Sequence, residues 1–227
     1  MSAPSRRLTL TNRQRARRLA WRTSAHVRAL GVGPGLRPYR PEPWAVKRWE
    51  RAYTSGEFDF MSDLYELPRY SLLIGYLRLY PGTPSVLDIG CGPGRLRELL
   101  SEGEFDTYLG LDLSAEAIES ASRLSDGRTD FMVGDAMEID LPPADVVVLN
   151  EMLYYMRSPR TLLERVASAI RPDGIVLTSI WRHPGDRALW RLLDGEFELV
   201  SAARTRTEGN RHNRLGWRVS CHRAGGG

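Results

Sequence analysis

Beyond residue 80 the chain repeats one rhythm: a short apolar run, a turn, then a stretch with apolar positions three or four apart. The runs SVLDI (85–89), TYLGLD (107–112), TDFMV (129–133), DVVVLN (145–150) and GIVLTSIW (174–181), followed by 197–205 and 214–222, predict seven strands. Helices are predicted near 94–102, 114–124, 158–170 and 186–193. Strands alternating with amphipathic helices predict βαβ units and hence an α/β, Rossmann-like, doubly wound, mostly parallel sheet. The last two strands are joined by only about eight residues, TRTEGNRH, too few for a crossover helix. The seventh strand is therefore predicted to be antiparallel, and its hairpin rises at the carboxyl edge of the sheet.

Before the strands, residues 44–80 are dense in aromatic side chains and predict helices packed over the ligand-binding edge of that sheet. Further back, residues 11–30 place Leu19, Thr23, Val27 and Leu30 near one helical face, and the glycines and prolines of 31–43 read as a linker or an extended arm. This divides the chain into an extension, 1–43, and a domain, 44–223.

Charge sharpens that division. The whole chain carries +4, yet residues 1–41 hold ten arginines and no acid, so the remaining 186 residues carry about −6. Three readings of the leader stay open: a loosely packed extension, contact with an anionic surface such as lipid or nucleic acid, and an organelle transit peptide. An acidic body disfavours nucleic acid as the partner of the domain itself. No run reaches the roughly 18 apolar residues of a membrane span, and the expected setting is cytoplasmic. The two cysteines, Cys91 and Cys221, suggest neither a disulfide framework nor a zinc site.

Ligands of such sheets bind outside the carboxyl ends of the strands. There the stretch VLDIGCGPGRL (86–96) spaces Gly90, Gly92 and Gly94 as G-x-G-x-G, not the G-x-G-x-x-G of a dinucleotide turn, and position 95 is Arg. Asp88 lies just inside the turn, Asp112 ends the second strand, and Gly134, Asp135 and Ala136 end the third. An acid-lined cleft repels a pyrophosphate and favours an ammonium and a sulfonium, which points away from NAD and toward S-adenosylmethionine. Each acid also has an ordinary reading: Asp88 bonding the amides of the turn, Asp112 capping the helix that opens at Ser114, Asp135 a loop acid.

Residues 85–182 resemble a class I S-adenosylmethionine-dependent methyltransferase. VLDIGCGPG matches the first motif of that family, LGLDLSAEAIESA the second, VGDAMEI the third and ADVVVLNEMLYYM the fourth. The resemblance implies that Asp88 and the turn of Gly90, Cys91, Gly92 and Gly94 meet the methionine part of the cofactor. It places Asp112 with Leu113 at the ribose hydroxyls, Asp135 and Ala136 at the adenine edge, and Asn150 beside the cofactor, with S-adenosylhomocysteine as product. NEMLYYM and EGNRHNRLGWRV resemble bacterial saccharide-modifying members, including the nodulation N-methyltransferase group, and imply a hydroxyl or amine of a saccharide as acceptor. The acceptor pocket would draw on Tyr154, Tyr155, Glu208, Asn210 and Arg211.

An oxygen or ammonium acceptor must lose a proton. His183, just after the fifth strand, is the candidate general base, with Glu151 and His212 as alternatives. Against these stand a surface-loop histidine, a local backbone cap and an ordinary polar hairpin. No Asn-Pro-Pro-Tyr stretch follows the fourth strand, and no dense ligand set calls for a metal, so none is expected. An RNA-associated methyltransferase and a noncatalytic cofactor-binding partner are the competing functions.

Overall fold

The computed structural model describes residues 43–55, 61, 63–182, 185–207 and 215–225. The predicted leader helix, the linker and the residues His183, Glu208, Asn210, Arg211 and His212 lie outside them.

Two helices, α1 (Pro43–Thr54) and α2 (Leu67–Leu77), precede β1 (Ser85–Ile89). The alternation continues through α3 (Arg95–Leu99), β2 (Thr107–Asp112), α4 (Ala115–Ser122), β3 (Thr129–Val133) and β4 (Ala144–Asn150). After a 3-10 turn at Leu153–Tyr155 come α5 (Pro159–Ala169), β5 (Ile170–Trp181), α6 (Asp186–Glu196), β6 (Phe197–Thr207) and β7 (Leu215–Ala224).

The seven strands form one sheet in the order β3-β2-β1-β4-β5-β7-β6. β1 to β5 are parallel, with Leu87 opposite Leu109 and Val147 opposite Val176, while β7 runs antiparallel to both β5 and β6. The predicted α/β class, the seven strands and the closing hairpin are all present. Several boundaries differ by a few residues, and two of these differences have a visible cause. β5 starts at Ile170 rather than 174, because Ile170 already pairs with Ala144 and the register then shifts by a bulge. The helix expected over 94–102 ends at Leu99, where Leu100 turns to an extended conformation.

Two apolar layers sandwich the sheet. Leu87, Ile89, Val147, Leu149, Val176 and Ile180 face α5 and α6, meeting Leu162, Val166, Leu189, Trp190 and Leu193. Val86, Val146, Val148, Leu177, Trp217 and Val219 face α2 and α3, meeting Tyr70, Leu73, Leu77 and Leu96. The run from Val146 to Leu149 is completely buried, as a central strand covered on both faces requires, and each such side chain contributes about 1.5 to 3 kcal/mol. That burial holds β1, β4 and β5 rigidly in register, so the residues at their carboxyl ends have fixed positions.

Candidate functional site

The turn after β1 is built from backbone that only glycine adopts easily: Gly90, Gly92 and Gly94 have φ of 77°, 56° and 79°. The amides of Gly90 and Cys91 both donate to the Leu111 carbonyl, at 2.7 and 3.1 Å, which folds the turn against the end of β2. Asp112 completes the junction. Its Oδ2 accepts the Gly92 amide at 2.9 Å and its Oδ1 accepts the Ser114 amide at 2.9 Å. Burial pushes the Asp112 carboxyl above its usual range, against the pull of these amides. Ser114 itself caps α4, accepting the Ala117 amide at 3.3 Å. Asp112 thus fixes both the turn and the start of the helix while its carboxylate keeps lone-pair capacity for a ligand.

Asp88 does not line an open cleft, as the sequence suggested. It is 1% exposed and faces the α2 side of the sheet, where the Tyr108 hydroxyl donates to its Oδ2 at 2.5 Å. Burial pushes its pKa up to about 7, with the Tyr108 hydrogen bond opposing and Asp112 adding to the rise. The Asp88 Oδ1 is buried with no partner, as is the Asp135 Oδ2, while the Asp135 Oδ1 accepts the Met137 amide at 2.9 Å. Ala136 is buried beside Asp135, and Leu113 is half-buried after Asp112.

A second polar group gathers at the ends of β4 and β5. The Ser179 hydroxyl lies 2.7 Å from Asn150 Oδ1 and 3.2 Å from Glu151 Oε1. Tyr154 donates to Glu151 Oε2 at 2.9 Å. Glu151 has φ of 60°, a strained conformation for this residue type, held by its amide bonding the Ser179 carbonyl at 3.0 Å. From α2, Arg69 reaches in: it donates to Asn150 Oδ1, pairs with Glu66 at 3.1 Å and lies 4.2 Å from the Tyr70 ring centroid. Burial works against its charge, but Tyr70, Glu66 and Glu151 outweigh it and hold the guanidinium cationic.

Aromatic side chains cover both groups. Tyr155 stacks edge-on with Tyr154 at 4.3 Å and with Trp49 of α1 at 4.7 Å. A Cβ on Gly92 would come within 3.0 Å of the Tyr53 hydroxyl, so α1 lies directly over the glycine turn. Burial, with Asp112 and Cys91 nearby, pushes the Tyr53 phenol well above its usual range. Both cysteines are buried free thiols. Among the described residues no three histidine, cysteine or acidic side chains converge on a point that could hold a metal ion, and no helix is long and apolar enough to cross a membrane.

The sequence model of the methyltransferase domain family matches residues 53–225. The chain belongs to that family. The methyltransferase domain is 29% identical over 142 residues to the ubiquinone biosynthesis O-methyltransferase of Neisseria meningitidis serogroup C, covering 60% of this chain and 57% of that protein. It is 31% identical over 115 residues to an uncharacterized methyltransferase of Mycobacterium tuberculosis, covering 49% of this chain and 58% of the other. The chain thus spans somewhat over half the length of these relatives. Two solved structures share its fold. The N-methyltransferase NodS of Bradyrhizobium japonicum in complex with S-adenosylhomocysteine aligns with TM-score 0.68 at 17% identity over 79% of this chain and 97% of that one. The Burkholderia thailandensis 1,6-didemethyltoxoflavin N1-methyltransferase aligns with TM-score 0.68 at 21% identity over 85% and 92%.

The structure therefore brings Gly90, Gly92, Gly94 and Asp112 together at one turn, and Asn150, Glu151 and Tyr154 together at the next strand ends. Trp49, Tyr53, Arg69, Tyr108 and Ser179 also reach the site, although no sequence motif contains them as ligand-binding positions. Of these only Arg69 carried a signal: an arginine within the apolar helix LPRYSLLIGYL needs a buried partner.

Proposed function

We propose that this methyltransferase domain binds S-adenosylmethionine and transfers its methyl group to a hydroxyl or amine of a small molecule, a saccharide or saccharide-containing metabolite. The observation that carries the reading is the left-handed glycine turn tied to Asp112 by the Gly92 amide. The residues suit that cofactor. Glycines leave backbone open to close approach, and a carboxylate with spare lone pairs matches two vicinal hydroxyls. Two buried carboxylate oxygens without partners, on Asp88 and Asp135, await donors of the kind an ammonium and an adenine amine present.

In this reading Gly90 to Gly94, with Cys91 and Asp88, hold the methionine part. Asp112 and Leu113 hold the ribose, Asp135 and Ala136 the adenine, and Asn150 the region beside the sulfur. Arg69 is the cation placed to offset the methionine carboxylate. S-adenosylmethionine supplies an electrophilic methyl carbon, so the acceptor lone pair forms the new bond while the carbon–sulfur electron pair stays on sulfur, leaving S-adenosylhomocysteine. The protein's share is alignment and proton removal. His183 is the proposed base. Glu151, its carboxylate aimed by Tyr154 and Ser179, is the second candidate, and His212 the third. Tyr154 and Tyr155 contribute an apolar wall to the acceptor site, and Glu208, Asn210 and Arg211 its polar rim.

The Trp49, Tyr154 and Tyr155 group favours a second acceptor class, a ring-bearing phenol, in line with the quinone chemistry named for the Neisseria relative. Release of S-adenosylhomocysteine by the purified protein against amino sugars, neutral sugars, their phosphate esters and catechols separates the two. Turnover on sugars supports the first reading, turnover on catechols alone supports the second, and none on either contradicts both.

A further inference from the structure

On the face of the sheet that carries α6, three strands bring arginines together at the edge where the candidate site lies. Arg204 of β6 and Arg218 of β7 are direct ladder partners, and Arg218 is paired on its other side with Ile180 of β5. The Arg218 guanidinium lies 4.3 Å from the Trp190 ring centroid, which fixes it on the α6 side. Arg182, immediately after β5, donates its amide to the Gly216 carbonyl at 2.9 Å. Its Cδ lies 3.7 Å from the point where a Gly216 Cβ would sit. The Arg182 stem therefore uses the room left by a missing side chain, beside Arg206, the ladder partner of Gly216.

Folding does not call for this arrangement. Like charges directly opposite one another weaken a strand pair. Among the described residues Arg182, Arg204 and Arg218 have no carboxylate within ion-pair distance, although Glu198 and Arg223, further along the same two strands, do approach each other at 3.9 Å. Arginines gathered without acids present planar donor forks suited to a doubly charged oxyanion. Their position relates them to the candidate site. Ser179, whose hydroxyl reaches Asn150 and Glu151, turns to the α2 face while Ile180 and its partner Arg218 turn to the α6 face, so the two groups can share a ligand only over the carboxyl edge, where two strand spacings, about 10 Å, separate the lines of β4 and β7. That is within the span of a phosphorylated sugar.

We propose that Arg182, Arg204 and Arg218 form an anion site that holds a phosphoryl group of the methyl acceptor. The acceptor is accordingly a phosphorylated small molecule, an inference that rests on the methyl-transfer reading for the word acceptor and on the arginines alone for the phosphoryl group. A nucleic acid fits less well. The chain beyond residue 41 carries about −6, so a long polyanion would be repelled by the domain around the arginines.

The test is a thermal-shift titration of the full chain with inorganic phosphate, at ionic strength held constant with chloride. The wild-type midpoint should rise and saturate. Arg204→Gln combined with Arg218→Gln should raise the half-saturating phosphate concentration at least tenfold. Arg182→Gln, an exposed residue whose loss disturbs no packed ring, should raise it at least threefold. S-adenosylhomocysteine binding, measured on the same samples, should be unchanged in all of them. Absence of a phosphate response, or an equal response in wild type and variants, overturns the anion site. Displacement of phosphate by a single-stranded RNA oligonucleotide that binds more tightly overturns the small-molecule assignment. An arginine-dependent phosphate response in a protein that does not bind S-adenosylhomocysteine overturns the methyl-transfer reading and leaves the anion site standing.

Discussion

The carboxylate of Asp112, at the end of β2, accepts the amide of Gly92, in the turn after β1, at 2.9 Å. One side chain thereby couples the two strand ends between which the cofactor is proposed to lie, and the turn cannot shift without it. Asp112→Ala should weaken S-adenosylhomocysteine binding about 10- to 100-fold, the equivalent of about 1.5 to 3 kcal/mol for lost hydrogen bonds to a charged acceptor. Calorimetry checks this, and an unchanged affinity with a lowered melting midpoint would reduce Asp112 to a structural cap.

Gly94→Ala tests the turn from the other side. Its φ of 79° is unfavourable for alanine, and the added Cβ would meet Leu124, Phe131 and Ala121 at 3.0, 3.2 and 3.3 Å. Strain of about 1 to 2 kcal/mol should appear in chemical denaturation, together with loss of cofactor affinity.

Asp88 gives a pH signature. Its folded pKa is about 7 because it is buried, whereas an unfolded aspartate ionises near 4. Between those values the unfolded chain has released a proton that the folded protein keeps, so stability falls as pH rises from about 4 to 7. Asp88→Asn should remove this trend, gaining on the order of 4 kcal/mol on the wild type across the window. Equal unfolding free energies of the wild type at pH 5 and 7.5 would show that Asp88 is ionised throughout.

His222 gives the opposite sign. It is fully buried on β7, 3.0 Å from Asp194 and 3.3 Å from Ser220, and burial lowers its pKa, with Arg218 acting in the same direction and Asp194 against. The stability it lends is complete above about pH 6.5 and is lost as pH falls, because the unfolded chain takes up the proton first. His222→Gln should flatten the acid limb of a stability profile measured from pH 7 down to 5.

Arg69→Met should cost about 3 kcal/mol or more, since it strips Glu66 of its buried guanidinium and Asn150 of a donor. Adding Glu66→Gln should recover part of that loss in urea denaturation. No recovery would mean that Asn150, and not Glu66, dominates the cost.

Much of this architecture is legible in the chain. Strands β1, β2 and β3 begin and end where their apolar runs do, because each run is bounded by turn residues, and the short link before β7 dictates its direction. Gly90, Gly92, Gly94 and Asp112 could be grouped because motif spacing and strand ends place them together. What spacing does not carry is the direction of a side chain within a strand end. The motif places Asp88 at the end of β1, but nothing in it shows that the pleat buries this carboxylate on the α2 face beside Tyr108, a partner 20 residues away with no sequence signal. Tyr53 and Trp49 were hidden for a related reason: aromatic density predicts helices over the site but not which rings reach it. The opposed arginines 204 and 218 become visible only once the β6–β7 register is known.

The glycine turn and its acids are proposed to hold S-adenosylmethionine. Isothermal titration of the purified chain with S-adenosylmethionine, S-adenosylhomocysteine and NAD tests it most directly. The first two should bind saturably at one site per chain, and NAD should not bind. Binding of NAD at comparable strength, or no binding of either S-adenosyl compound, would contradict it.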